Sequence, residues 1–287
     1  MRLFVFGMGY SATAFAEKMR DRLEWVGGTT RSADKAASLH ERGITPFLFD
    51  GTAPGNEIGE ALAKATHVLV SIAPDEDGDP VLLQHGGDLE AANLSWIGYL
   101  STVGVYGDHG GAWVDEETEA RPVSERSKLR LEAENGWLEF AEETGIPVGI
   151  FRLSGIYGPG RNALLNLETG KARRLIKPGQ VFNRIHVEDI AGALEAACAK
   201  PAARIYNITD DEPCPPQNVI EYAADLMGVA PPPEIDFETA DISPMARSFY
   251  GENKRVSNAR IKEELGYSFR HPTYRAALDH MFKTGWR

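Results

Sequence analysis

The chain opens on an apolar run, Leu3-Phe4-Val5-Phe6, that stops at Gly7-Met8-Gly9-Tyr10-Ser11-Ala12 and resumes as the helical pattern Ala14-Phe15-Ala16-Glu17-Lys18-Met19. A buried strand running into a glycine turn and then a helix leaves few architectures open. Gly7 permits the tight turn, Gly9 lets the backbone approach a pyrophosphate, and small Ala12 lets the helix pack close to the strand. The first turn of that helix presents unpaired N–H groups and a partial positive charge to phosphates. Residues Gly7, Met8, Gly9, Tyr10, Ser11 and Ala12 are therefore expected to line a dinucleotide-binding corner.

The next strand, expected over residues 23–29, bears on which dinucleotide. About twenty residues past such a corner an NAD site has an Asp or Glu for the ribose 2'-hydroxyl. Here the sequence reads Thr29-Thr30-Arg31-Ser32. With no carboxylate to repel a 2'-phosphate and a guanidinium able to grip one bidentately, Thr30 and Arg31 predict NADP in preference to NAD. Arg31 also suits the start of a solvated helix capped by Ser32. The third strand, residues 44–49, ends in Asp50, placed either to reach the adenine edge or to make an ordinary strand-end turn. Ser71, Ile72 and Ala73, where the fourth strand (residues 66–72) runs out, complete the expected cofactor lining.

Further strands are expected at residues 95–100, 147–153 and 204–208, with helices at 34–42, 58–65, 124–143 and 187–199. This alternation requires right-handed crossovers and a parallel sheet covered on both faces, so the fold class is doubly wound α/β, a Rossmann sheet. Prolines break up the sequence after Asn207, between short helices at 217–227, 258–265 and 274–282. A dinucleotide domain is expected over 1–160, completed by about 184–210, with a smaller C-terminal substrate lobe from 161–183 and 211–287. The 287 residues, 43% of them hydrophobic, suffice for a large core.

A net charge of −12 with no long basic run argues against nucleic acid or an anionic membrane as partner and leaves a small molecule. Two cysteines, Cys198 and Cys214, give no disulfide framework and no metal spacing, which fits a reducing cytoplasm. A strand at residue 2 and the lack of an apolar run of about 18 residues predict neither signal peptide nor membrane span. Asp75-Glu76-Asp77-Gly78-Asp79 begins like a calcium loop, but Pro80 and Gly86 stand where that loop needs Gly and Glu, so a solvated loop is expected. Arg173-Arg174-Leu175-Ile176-Lys177, with Arg161, makes a small basic island suited to a phosphate or carboxylate, or simply to the surface.

Three further motifs stand in order: Tyr99-Leu100-Ser101-Thr102-Val103-Gly104-Val105-Tyr106-Gly107, Phe151-Arg152-Leu153-Ser154-Gly155-Ile156-Tyr157-Gly158-Pro159-Gly160 and Arg184-Ile185-His186-Val187-Glu188-Asp189. With the N-terminal corner they resemble the extended short-chain dehydrogenase/reductase proteins, the epimerase/dehydratase branch. The resemblance implies a nicotinamide-dinucleotide domain, a C-terminal substrate lobe and substrates that are often nucleotide sugars. It also points to pairing as a homodimer, through helices at about 81–93 and 124–143. The short G-x-G-x-x-A corner, in place of the three-glycine form, places the chain nearer the atypical subgroup.

The family's Tyr-x-x-x-Lys pair is missing. In the region that matches it, Pro122-Val123-Ser124-Glu125-Arg126-Ser127-Lys128-Leu129-Arg130, there is no tyrosine. One register puts Arg126 and Arg130 in the tyrosine and lysine places; the other puts Ser124 and Lys128 there. The first, with Ala133-Glu134 after it, matches more of the family pattern. Arginine does not deprotonate in proteins, so Arg126 can hold an anion but cannot act as a base. Arg130, one helical turn on, is expected to take the ribose-binding role. Thr102 matches the hydroxyl that bonds a substrate carbonyl, with Ser101 beside it. Tyr106 and Tyr157 are the nearest phenols in the motif pattern, suited either to supply an acid/base group or, as such tyrosines more often do, to pack with a satisfied hydroxyl, and His186 is expected to be structural, at a helix start. The function expected is that of an NAD(P)-dependent oxidoreductase or epimerase on a small polar or anionic substrate. The alternative is a non-catalytic NADP(H)-binding regulatory module.

Overall fold

The computed structural model describes the backbone of all 287 residues and every side chain but that of Met245. Its centre is a seven-stranded parallel sheet of β1 (Arg2–Phe6), β2 (Trp25–Thr30), β3 (Thr45–Leu48), β4 (His67–Val70), β5 (Trp96–Thr102), β6 (Val148–Leu153) and β7 (Arg204–Ile208). The strand order is β7-β6-β5-β4-β1-β2-β3, with every neighbouring pair parallel. The winding direction reverses between β1 and β4, and in such sheets a crevice opens at the carboxyl ends of the two strands that flank the reversal. Gly7 follows β1 and Ser71 follows β4, so the sequence motif and the topological switch point coincide.

Pleating explains the apolar runs. Leu3 and Val5 face a cluster with Phe15 of α1 (Tyr10–Lys18) and Ile190 and Leu194 of a helix over Val187–Ala199. Phe4 and Phe6 turn to the opposite face, against Leu89 and Trp137. Those two residues lie on α4 (Pro80–Ala91) and α5 (Glu125–Thr144); α2 (Ala33–Glu41) and α3 (Ile58–Leu62) precede them in the chain. Phe4 and Phe6 are 0% exposed, and each such side chain contributes about 1.5–3 kcal/mol by burial.

Local signals fix the helix ends. Asp79 Oδ1 accepts the N–H groups of Val81 and Leu82 at the start of α4, with Pro80 in the first turn. The acidic stretch before it closes on itself, since Asp75 and Gly78 exchange backbone hydrogen bonds. Ser124 caps α5 by accepting the Ser127 N–H, and Gly145 ends that helix in the left-handed conformation, φ 73°. α5 starts one residue later than the sequence predicts and ends one later.

The remaining chain forms α6 (Ala163–Glu168), α7 (Val187–Ala199), α8 (Pro216–Met227), α9 (Pro244–Phe249), α10 (Ala259–Leu265) and α11 (Tyr274–Thr284). It also holds three short parallel pairs that the sequence reading missed: Gly155–Tyr157 with Arg184–His186, Arg174–Ile176 with Glu234–Asp236, and Trp113–Val114 with Arg255–Val256. Two or three residues are too few to show a periodicity. α6, α8 and α11 share a core around Leu164, Ala223 and Leu278, whereas Ile261 and Leu265 of α10 pack with the central sheet. Part of the basic island is spent within this part of the chain: Arg174 pairs with Glu221 and Glu234, and Lys177 donates to Tyr250 O, whereas Arg161 has no acidic partner among the described residues. Among the described residues, no helix is long and apolar enough to cross a membrane.

Candidate active site

Gly7 has φ +86°, and a Cβ there would stand 2.5 Å from Ile72 Cγ2, so the turn requires glycine on two counts. Its N–H donates to Thr29 Oγ1 at 2.7 Å, tying the corner to the end of β2. At Gly9 the nearest atom to an added Cβ is 3.9 Å away, so the backbone there stands open. Gly9 caps α1 without any side-chain bond, and the first turn carries no acidic residue. The N–H groups of Tyr10, Ser11 and Ala12 are therefore free for an anion. The corner fits a dinucleotide diphosphate on these observations.

The other expected lining residues divide. Met8 fixes the corner without lining it, because its side chain is buried and its N–H donates to Thr29 O at 3.0 Å. Tyr10 Oη donates to Pro159 O at 2.8 Å and laces the corner to the loop after β6. Ser71 and Ile72 flank Gly7, while Ala73 is exposed. Thr30 Oγ1 accepts the Ser32 N–H at 3.4 Å, and Ser32 caps α2. Arg31 is exposed at the end of β2, with no acidic partner among the described residues. Asp50 Oδ1 accepts from the N–H and hydroxyl of Thr52 at 3.0 and 2.8 Å, the strand-end turn that is one of its two expected roles.

Beyond the carboxyl ends of β5 and β6 lies a cavity of about 900 Å³ lined by, among others, Thr102, Ser127, Arg126, Tyr157, Arg161, Arg184 and Tyr274. Thr102 ends β5, and its Oγ1 accepts the Gly104 N–H at 3.1 Å, leaving the hydroxyl proton free for an oxygen in the cavity. A Cβ on Gly104 would stand 2.8 Å from Ser127 Oγ and 3.3 Å from Thr102 Oγ1, so glycine leaves both hydroxyls room beside this turn. Ser124 Oγ lies 2.9 Å from Ser127 Oγ. The sequence reading missed Ser127, although it stands next to Arg126 in the motif.

Two expected catalytic residues face elsewhere. Ser101 donates to Glu134, which is wholly buried and also binds Arg152 at 2.7 Å. Alternate residues of a strand point to opposite faces, so Thr102 reaches the cavity and Ser101 the buried network. Tyr106 is likewise shut away, with its hydroxyl donating to Asn207 Oδ1 at 2.8 Å and the Arg152 guanidinium over its ring. Tyr157 does line the cavity, and its buried hydroxyl has no hydrogen-bond partner among the described residues. Burial pushes its pKa well up, so it serves as a donor and not as a base near neutrality.

Arg126 lines the cavity and rests over the Phe249 ring, 5.6 Å from its centroid. Arg130 reaches the ends of β4 and β5, donating to Ile72 O, Tyr99 Oη and Leu100 O at 3.3, 2.9 and 3.0 Å. That places it beside the corner and not on the cavity wall. Lys128 pairs with Glu125 on the exposed side of α5, while Ser124 also reaches the cavity.

His186 caps α7, its Nδ1 accepting the Glu188 N–H at 3.3 Å, and burial pushes its pKa down to about 3. His186, Glu188 and His271 each offer one side-chain ligand atom to a group whose members lie within 4.8 Å of one another. An accepting Nδ1 puts the proton of the neutral ring on Nε2, which takes this imidazole out of a metal-ligand set.

The doubly wound sheet and the glycine corner at its switch point fit a dinucleotide, and the cavity lies beyond the ends of β5 and β6. The comparisons agree. A model of the NAD dependent epimerase/dehydratase family matches residues 89–209. Protein YeeZ of Escherichia coli (strain K12) is 27% identical over 284 residues, covering 94% of this chain and 96% of that protein. A solved structure of a functionally unknown conserved protein from Silicibacter pomeroyi DSS has a TM-score of 0.91 at 47% identity, covering 100% of this chain and 99% of that one. A dTDP-glucose 4,6-dehydratase from Bacillus anthracis str. Ames, solved with NAD, shares the fold at a TM-score of 0.77 and 18% identity, covering 99% of this chain and 96% of that one. Residues 89–209 are thus similar to the NAD dependent epimerase/dehydratase family, and the whole chain shares the fold of the dehydratase structure.

Proposed function

We propose that the protein is an NADP(H)-dependent oxidoreductase or epimerase acting on a small anionic substrate. The observation that carries this reading is the set of arginines on the cavity. Arg126, Arg161 and Arg184 all line it, and none has an acidic partner among the described residues. The one carboxylate on that wall, Glu252, is bound to Lys254 at 2.5 Å. In a chain of net charge −12, a pocket lined by three arginines that form no ion pair among the described residues suits an anion.

The nicotinamide of a bound coenzyme supplies the hydride donor or acceptor. The chain's own residues do the rest. Gly9 and the first turn of α1 hold the diphosphate, and Arg130 stands beside the corner to meet ribose oxygens. Thr102, with Ser127 across Gly104, donates to the reacting oxygen. Arg126, permanently charged, anchors the substrate. Preference for NADP rests on Arg31 and on the missing carboxylate at the end of β2.

The same reading extends to partners. The acidic balance disfavours nucleic acid and anionic membranes, the two thiols suit a reducing cytoplasm, and a homodimer would pair through α4 and α5, where Leu83 is 56% exposed. The arginine in the tyrosine's place favours the second reading, a regulatory NADP(H)-binding module without turnover.

NADPH oxidation, followed by absorbance against a panel of oxo acids and their uncharged amides, tests the proposal. Turnover confined to the acids, and reduced about 100-fold or more by Thr102→Val, is the expected result. Coenzyme binding with no NADPH oxidation on any of them removes the oxidoreductase; if in addition no proton at the substrate's stereocentre exchanges with D2O, the epimerase falls too and the assignment moves to the regulatory reading.

A further inference from the structure

The cavity floor carries a set of polar atoms that the catalytic reading does not use. Tyr157 follows β6 and Tyr274 opens α11, yet both line the same cavity. Both phenol oxygens are buried without a hydrogen-bond partner among the described residues, and Tyr274 as a whole is 0% exposed. Folding does not leave two buried hydroxyls unpaired cheaply: each forgoes its bonds to water at a cost on the order of 1–3 kcal/mol. The third member is Arg184. Its Nη1 donates to Phe182 O at 3.1 Å and to Cys214 Sγ at 3.2 Å, which pins the guanidinium on the wall with no acidic partner.

Resting on the anionic-substrate reading above, we propose that Tyr157, Tyr274 and Arg184 form a carboxylate-binding floor. It would seat the acid end of the substrate and leave its reacting carbon toward Thr102. Two hydroxyl donors and a guanidinium match the two oxygens and four lone-pair sites of a carboxylate. Phenols suit this role because each offers one fixed donor on a rigid ring, so little side-chain freedom is lost on binding. Burial supports the assignment by keeping both phenols protonated. The nearby Asp210 carboxyl is also raised by burial, to about 8, and so does not oppose an anion near neutral pH.

Titration calorimetry of the protein, with and without NADP+, tests the floor using sodium pyruvate, inorganic phosphate and uncharged pyruvamide. Pyruvate should bind more tightly than both others, and Tyr274→Phe should weaken it by about tenfold or more, since one hydrogen bond to a charged group is lost. The same variant should melt no lower than wild type, because its missing hydroxyl had no partner. Tyr157→Phe should repeat the pattern. Pyruvate binding no tighter than pyruvamide overturns the proposal, as does tighter binding of phosphate or a Tyr274→Phe variant with unchanged affinity. NADP+ binding that survives alongside any of these results confines the failure to the floor; loss of NADP+ binding from the wild type fails the coenzyme reading instead.

Discussion

Glu134 of α5 and Arg152 of β6 meet at 2.7 Å with side chains 0% and 5% exposed, and the same carboxylate accepts the Ser101 hydroxyl. The pair pins the long helix to the sheet just behind Thr102, which makes it a positioning device for the cavity wall. Removing one partner strands the other charge in the core. Glu134→Ala should therefore cost about 3–5 kcal/mol in urea unfolding, and a loss below about 1 kcal/mol would show that the site is wetter than it looks.

Gly7→Ala places a methyl against Ile72 at a backbone angle that L-residues rarely adopt. The cost should be about 1–3 kcal/mol of stability from strain alone. Coenzyme affinity should fall further, because the turn must move to accommodate the methyl and the N–H groups of α1 move with it. Equal affinity in wild type and variant, measured by quenching of protein fluorescence, contradicts the geometry of the corner.

Asp210 gives the stability a pH dependence. Burial raises its carboxyl from 3.8 to about 8, so the native state holds this proton more tightly than the unfolded chain does. Its contribution is complete below about pH 4, is lost as pH climbs toward 8, and is level above that. The loss is at most roughly 1.4 kcal/mol per pH unit. Asp210→Asn should flatten the unfolding free energy across this window and make the variant the more stable protein at pH 9. Parallel profiles for the two proteins contradict the assignment.

The central sheet was legible because its evidence is local. Four apolar residues before Gly7, the strand-helix alternation and the span of α7 all follow from periodicity and turn chemistry. Residues 187–199 were expected, and Val187–Ala199 is found. Side-chain direction was not legible: Ser101 and Tyr106 share a motif with Thr102, yet the strand pleat and the turn after it send them into the core. Contacts far apart in the chain were equally hidden. Tyr157 and Tyr274 are 117 residues apart in the numbering, and no pattern in either segment announces that they meet one cavity. The short strand pairs of the lobe are set by tertiary packing, which overrides weak local preference.

The account depends most on the corner at Gly7 and on Arg31 at the end of β2. Titration of the purified protein with NADPH and NADH, repeated on Arg31→Ala, tests both at once. NADPH should bind one per chain and more tightly than NADH, and the variant should lose about tenfold or more in NADPH affinity with little change for NADH. An unchanged preference in the variant removes Arg31 from the account, and failure of both coenzymes to bind at millimolar concentration contradicts it outright.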